Sequence, residues 1–281
     1  MPEGPEIRLA ADRIAKVLVG QPLEEVWFAF PQLKAAEARL TGACVTAIDT
    51  RGKAMLTRFD TGLSLYSHNQ LYGRWYTSKR GRWPATNRSL RVALHTPSHS
   101  ALLYSASDVA LLDAAAEREH AFLNRLGPDL LDSKLDADTL TARLQDQRFA
   151  GRSLASLYLD QGFLAGLGNY LRSEILFLSG LAPDARPRDC SESQLMQLAS
   201  DTLLLGWRSY RTRGITLDQP TLEGLPRRPG GRRNRFWVFA RAGQRCYRCA
   251  SKIEKEVRGS RRLYRCPTCQ PPMPRLSKVR P

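Results

Sequence analysis

The chain has 281 residues, 42% hydrophobic and 25% charged, which is long enough for two domains with separate cores and ordinary for a globular protein. Its 43 Lys and Arg against 27 Asp and Glu give a net charge of +16, and residues 207–281 carry the whole excess, with 20 basic and 4 acidic residues. The start, MPEGPEIRLAADRIAKVLVG, holds Glu3 and Glu6 and no long apolar run, which excludes a signal peptide or spanning helix there. A neutral body with a strongly basic last quarter suits a polyanion partner; a basic surface kept for solubility is the plainer alternative.

The first predicted element is a helix starting near Pro5, with Ile7, Ala10, Ala11, Ile14, Val17 and Leu18 at helical spacing before Gly20. Short β-type runs follow at 25–30, 44–51, 54–59, 63–67, 90–95 and 102–105, punctuated by Gly, Pro, Asn and Ser as in an antiparallel sandwich. A helical segment at 32–40 interrupts them. The period then changes, and 114–126, 137–145, 153–161, 169–178 and 192–210 read as helices. Residues 220–235 form a loop rich in Pro, Gly and Arg (Arg227, Arg228, Arg232, Arg233, Arg235). A small β region with cysteines comes next, and 271–281 reads as a disordered basic tail. The expected class is α+β, in four parts: residues 1–112, an N-terminal helix with a β-sandwich; 113–235, a helical domain with the Arg-rich loop; 236–270, a finger; and the tail.

Cys246 and Cys249, then Cys266 and Cys269, form two CxxC pairs, the spacing of a tetrahedral four-thiolate zinc site with no open coordination position. Such a site folds a hairpin and does no chemistry. Lys252, Lys255, Arg258, Arg261 and Arg262 lie between the pairs and offer cations to phosphates, although a zinc ribbon can equally hold a protein. Paired cysteines that bind metal place the chain in a reducing compartment, the cytoplasm. Cys44 and Cys190 read as small buried residues.

Residues 160–170, DQGFLAGLGNY, join two helical segments. Gly166 and Gly168 allow a tight turn, and the next helix begins with amides able to meet a phosphate; Asn169 would cap that helix or donate to the phosphate itself. Plain helix packing would explain the same glycines. At the N-terminus, removal of Met1 leaves Pro2 as a secondary amine. Ordinary α-amino groups have a pKa of about 7.7–8.0, so a useful fraction is neutral and able to attack a sugar C1′ as a Schiff-base nucleophile. Glu3 adjoins it as a proton donor. The two prolines would also merely stiffen a terminus, with Glu3 and Glu6 complementing the helix dipole.

MPEGPEI at the start, TRGK at 50–53, GLGNY at 166–170 and the four-cysteine finger occur in order, and together they resemble the formamidopyrimidine-DNA glycosylase and endonuclease VIII family from Met1 to about Gln270. SHNQLYG at 67–73 and YSASD at 104–108 resemble its endonuclease VIII branch; the guanine-directed branch carries an Asp-x-Arg-x-Phe-Gly stretch in the latter region, which is missing here. The resemblance implies a helix-two-turn-helix fold, one structural zinc ion and damaged double-stranded DNA as partner, with bubble or single-stranded DNA as further candidates, for a monomer acting at the nucleoid. It implies a bifunctional glycosylase and AP lyase of base excision repair, removing oxidised pyrimidines and nicking by β,δ-elimination. By resemblance Pro2 is the nucleophile, Glu3 the general acid, Lys53 a cation reaching the damaged nucleotide, and Glu6 orients the sugar. Gln70, Leu71 and Tyr72 fill the gap left by the flipped base, Asn169 and Arg261 grip the flanking phosphates, and Asp129 is an acid near the active site. Read without the resemblance, Leu71 and Tyr72 are strand core. A guanine-directed glycosylase of the same fold and a non-catalytic damage-binding protein are the alternatives. The Arg-rich loop is longer than is usual in the endonuclease VIII branch, which leaves lesion preference open.

Overall fold

A computed structural model describes residues 2–226, 233–258 and 260–272. Arg227, Arg228 and Arg232 of the Arg-rich loop, and the tail beyond residue 272, lie outside the described residues. The chain divides into two compact units, residues 1–126 and 127–281.

The first unit opens with α1 (Gly4–Leu18), Pro5 standing in its first turn where the missing N–H costs nothing. Eight strands follow: β1 (Glu25–Phe28), β2 (Val45–Arg51), β3 (Ala54–Phe59), β4 (Ser64–His68), β5 (Arg74–Lys79), β6 (Leu90–His95), β7 (His99–Tyr104) and β8 (Asp108–Leu112). Helix α2 (Lys34–Leu40) lies between β1 and β2, preceded by a 3-10 turn, Pro31–Leu33. The strands build two antiparallel sheets, β1-β6-β7-β5 and β2-β3-β4-β8. One core joins them: Ile7, Ala11, Ile14 and Leu18 of α1 cluster with Met55, Phe59 and Leu65 of one sheet and Phe28, Val92, Leu94 and Leu103 of the other. β5 and β8 were not expected. Both are edge strands; the β5 run RWYTSK is mostly polar, and the β8 run DVALL is short and leads straight into helix-forming residues, so neither alternates.

The region 114–126, expected as one helix opening the second domain, is two short helices of the first unit, α3 (Ala114–Glu119) and α4 (Ala121–Asn124). Central strands are buried on both faces, and these helices cover the outer one. Ala54, Leu56 and Tyr66 point away from the sandwich and pack with Leu112, Leu123 and Phe122. Arg58 of β3 adds a two-pronged ion pair to Glu117. The break falls at His120, extended at ψ 115°, whose ring lies 4.3 Å from that of Tyr66.

In the second unit, α5 (Ala137–Gln145), α6 (Gln147–Ala150), α7 (Leu154–Leu157), α8 (Asn169–Leu178) and α9 (Glu192–Arg211) surround a core of Leu140, Leu157, Phe163, Leu171, Ile175, Leu198 and Leu205. The helix expected over 153–161 stops at Leu157, because the Asp160 carboxylate accepts the Gly162 N–H at 2.8 Å and turns the chain. A short helix, α10 (Gln219–Gly224), occupies the start of the expected loop, capped by the Asp218 carboxylate. The finger hairpin is β9 (Glu254–Arg258) and β10 (Arg261–Arg265).

Candidate active site and nucleic-acid interface

Pro2 is half-buried, immediately before Glu3, a residue only 3% exposed. Glu3 is the N-cap of α1, and the Glu6 carboxylate accepts its backbone N–H at 3.0 Å. Glu6 therefore fixes the backbone from which Pro2 and Glu3 project. Helix α1 packs against β2 and β3, the strands whose connecting turn carries Lys53. That turn needs Gly52, at φ +60°.

Gln70, Leu71 and Tyr72 are not strand core. They form the β4–β5 loop, with Leu71 57% and Tyr72 68% exposed, which is unusual for two large apolar side chains in adjacent positions. The loop is built rather than slack. Asn69 C=O accepts the Gly73 N–H at 2.7 Å, and a Cβ on Gly73 would fall 2.6 Å from that oxygen, so only glycine closes the turn. Gln70 sits in the left-handed region at φ +48°, its side-chain oxygen accepting from the Ser107 hydroxyl at 2.8 Å. The Arg88 guanidinium donates to Tyr72 C=O.

In the second unit, Gly168 rather than Asn169 is the N-cap of α8, and Asn169 is its first residue. The Asn169 side chain makes no hydrogen bond among the described residues and is half-buried, which leaves its amide to a ligand. The glycine turn before it is held by Gln161, which the sequence alone did not single out. Its amide donates to Leu159 and Leu167 C=O and accepts the Gly166 N–H at 3.1 Å, with Gly166 at φ +100°. Arg143 donates to Gly162 and Phe163 C=O, and residues 127–130 pair with the same turn through Leu130 N–H to Ala165 C=O. Asp129 lies on this paired segment, and its carboxylate accepts the Leu131 N–H at 2.8 Å.

The four finger thiolates all lie within 4.8 Å of one another, with Cys249 and Cys266 sulfurs 3.4 Å apart and those of Cys246 and Cys269 3.9 Å apart. Zn–S bonds of about 2.3 Å place tetrahedral sulfurs about 3.8 Å apart, so the cluster fits one zinc ion. Arg261 opens β10 just past the hairpin tip, exposed and without an acidic partner among the described residues. Arg258, expected to face phosphates as well, instead pairs with Asp184 and Glu256, both at 2.9 Å. Cys190 and Cys44 are half-buried, and burial pushes the Cys190 thiol up to about 11, which leaves little thiolate at neutral pH.

A buried polar set joins the finger to α8. Arg172 donates to Arg262 C=O at 3.0 Å, the Ser173 hydroxyl accepts the Tyr264 N–H, and the Glu174 carboxylate accepts the N–H groups of Trp237, Val238 and Phe239 and the Thr216 hydroxyl. Burial pushes the Glu174 pKa up, and those four donors oppose the shift. The signal in the sequence was Arg-Ser-Glu in the middle of the otherwise apolar NYLRSEILFL.

Residues 1–108 match the formamidopyrimidine-DNA glycosylase N-terminal domain, and residues 126–206 match the H2TH domain of the same enzymes. The chain belongs to the formamidopyrimidine-DNA glycosylase and endonuclease VIII family. Within the family it is 51% identical over 270 residues to Endonuclease 8 of Klebsiella pneumoniae subsp. pneumoniae and 49% identical to Endonuclease 8 of Salmonella paratyphi B. Both alignments cover 96% of this chain and 100% of the relative. The fold matches Lactococcus lactis Fpg (MutM) in a complex with N7-benzyl-Fapy-dG DNA at a TM-score of 0.79 and 19% identity, over 96% of this chain and all of that one. The same protein bound to DNA with an AP site gives 0.78. The family resemblance, the α+β architecture and the zinc site expected from the sequence are thus borne out. Among the described residues no helix is long and apolar enough to cross a membrane.

Proposed function

We propose that this protein removes oxidised pyrimidines from DNA and cuts the strand at the resulting abasic site, in the cytoplasm at the nucleoid. Membership of the family makes it a DNA glycosylase and AP lyase of base excision repair. The loop Gln70-Leu71-Tyr72 is the observation that carries base extrusion, since two large exposed side chains on a closed turn suit a void in a base stack better than they suit water, and its resemblance to the endonuclease VIII branch points to pyrimidines. Loss of aromaticity in an oxidised pyrimidine weakens its stacking and lowers the cost of extrusion, which is on the order of a few kcal/mol.

In this reading the neutral amine of Pro2 attacks C1′ and the glycosidic bond breaks, the base leaving with the bonding electron pair, while Glu3 supplies the proton that opens the sugar ring at O4′ to give the Schiff base. The Schiff base that remains acidifies the sugar, and successive β- and δ-eliminations release the 3′ and 5′ phosphates. Lys53 faces the extruded nucleotide from the β2–β3 turn, and Asn169 and Arg261 grip the flanking phosphates. Cys246, Cys249, Cys266 and Cys269 would hold a zinc ion that supplies no chemistry and braces the hairpin carrying Arg261.

Competing time courses on duplexes with thymine glycol, dihydrouracil or 8-oxoguanine opposite cytosine test this reading, each with borohydride trapping. Both pyrimidine lesions should be removed faster and should yield a covalent adduct. Faster removal of 8-oxoguanine would reassign the protein to the guanine-directed branch. Binding with no adduct and no cleavage would leave only a damage-binding protein.

A further inference from the structure

His68 is the last residue of β4, between Ala54 of β3 and Asp108 of β8, at the foot of the Gln70-Leu71-Tyr72 loop. Its Nδ1 accepts the Gln70 N–H at 3.1 Å. This bond spans two residues, as an Asx turn does, and fixes the residue whose left-handed backbone starts the loop. The ring is held from the other side by an edge contact with Phe122 of α4, centroids 5.0 Å apart. Its neighbour across the strand pair, Ala54, directly follows Lys53. One imidazole therefore stands next to both the exposed triplet and the turn that carries the lysine.

We infer that His68 is the positioning residue of the intercalating loop, holding Gln70, Leu71 and Tyr72 preformed for insertion through a neutral imidazole protonated on Nε2. The inference rests on the proposed reading of that loop. An acceptor at Nδ1 requires an unprotonated ring nitrogen; a second proton would set N–H against N–H and release Gln70. The surroundings keep the ring neutral. Burial pushes its pKa down from the ordinary value, Lys53 and Arg125 push the same way, and Asp108, which accepts the Tyr66 hydroxyl, opposes them. Among the described residues no other charged group acts on it. A folded pKa below the usual histidine value means the bond is intact at neutral pH and is lost as pH falls through that lowered value.

The test uses the full-length zinc-loaded enzyme with His68→Leu, which keeps the packing but has no acceptor, and His68→Asn, whose Oδ1 can stand where Nδ1 stood. Excision of dihydrouracil is measured from duplex and from single-stranded DNA, where little stacking must be broken, with zinc content and thermal melting recorded. His68→Leu should lower the duplex-to-single-strand rate ratio about three- to tenfold, the scale of one hydrogen bond. His68→Asn should restore the ratio and remove its fall at acidic pH. An unchanged ratio in His68→Leu, or a His68→Asn protein as impaired as His68→Leu, overturns the inference. If His68→Leu does not fold, the pH profile of His68→Asn decides alone: a ratio that still falls with acid as in the unmodified enzyme overturns it. Unmodified enzyme that traps no adduct on either substrate would instead refute the proposed function.

Discussion

At the scale of single residues, the proposed chemistry gathers at the N-terminus. Glu6 ties down the backbone N–H of Glu3, so the two residues proposed as nucleophile and acid leave one rigid start of helix. Glu3 is buried and Pro2 half-buried, as a proton donor and a nucleophile working out of water would be. Pro2→Gly should keep DNA affinity while losing most of the borohydride-trapped adduct; trapping at the original level would exclude the proline amine. Glu3→Gln should slow base release by about 100-fold or more, the usual worth of a general acid, and spare cutting of a preformed abasic site. Equal losses on both substrates, in a comparison of single-turnover rates, would take that role from Glu3.

At the scale of elements, α8 organises the second unit. Its first turn carries Asn169, and its middle turn grips the finger through Arg172, Ser173 and Glu174. In Glu174→Gln the amide keeps one oxygen for four donors and turns an N–H₂ towards the others. Buried donors left unpaired cost about 1–3 kcal/mol each, so the variant should melt several degrees lower and release zinc more readily to a chelator. A melt and a zinc-release rate equal to those of the unmodified protein would show that the carboxylate does not brace the finger. These tethers also show what was legible beforehand. Helices with a clear apolar period, α5 and α8, fall where the sequence put them, and so does β3. The cysteine spacing alone fixed the ligands. Edge strands β5 and β8 carry no apolar alternation, β5 being mostly polar and β8 a short run that leads straight into helix-forming residues. The roles of Arg143 and Glu174 lie in contacts with backbone far along the chain, for which a sequence carries no local pattern. The loop of Gln70 is a middle case: its residues were picked out by resemblance, and only their exposure separates them from strand core.

At the scale of the whole molecule, charge segregation sets how the protein finds its substrate. Residues 207–281 hold 20 basic residues and 4 acidic ones, and Arg258 and Arg265 are partly neutralised by Glu254, Glu256 and Asp184. Exposed Arg261 is not. Binding to undamaged duplex should weaken steeply with salt, by about 10³-fold or more between 50 and 200 mM if six or more phosphates are neutralised, and Arg261→Ala should reduce the log–log slope by about 0.9. A slope unchanged in Arg261→Ala, measured by fluorescence anisotropy, would place that guanidinium off the phosphate backbone. The zinc hairpin also shares a core with α8: Phe177, Trp237 and Val238 cluster with Ile253, Tyr264, Cys246 and Cys266. A finger so anchored is not a cassette. Cut out and fused to another protein it would present a bare apolar flank in place of a surface, so in evolution and in protein engineering alike this finger travels with its helix or not at all.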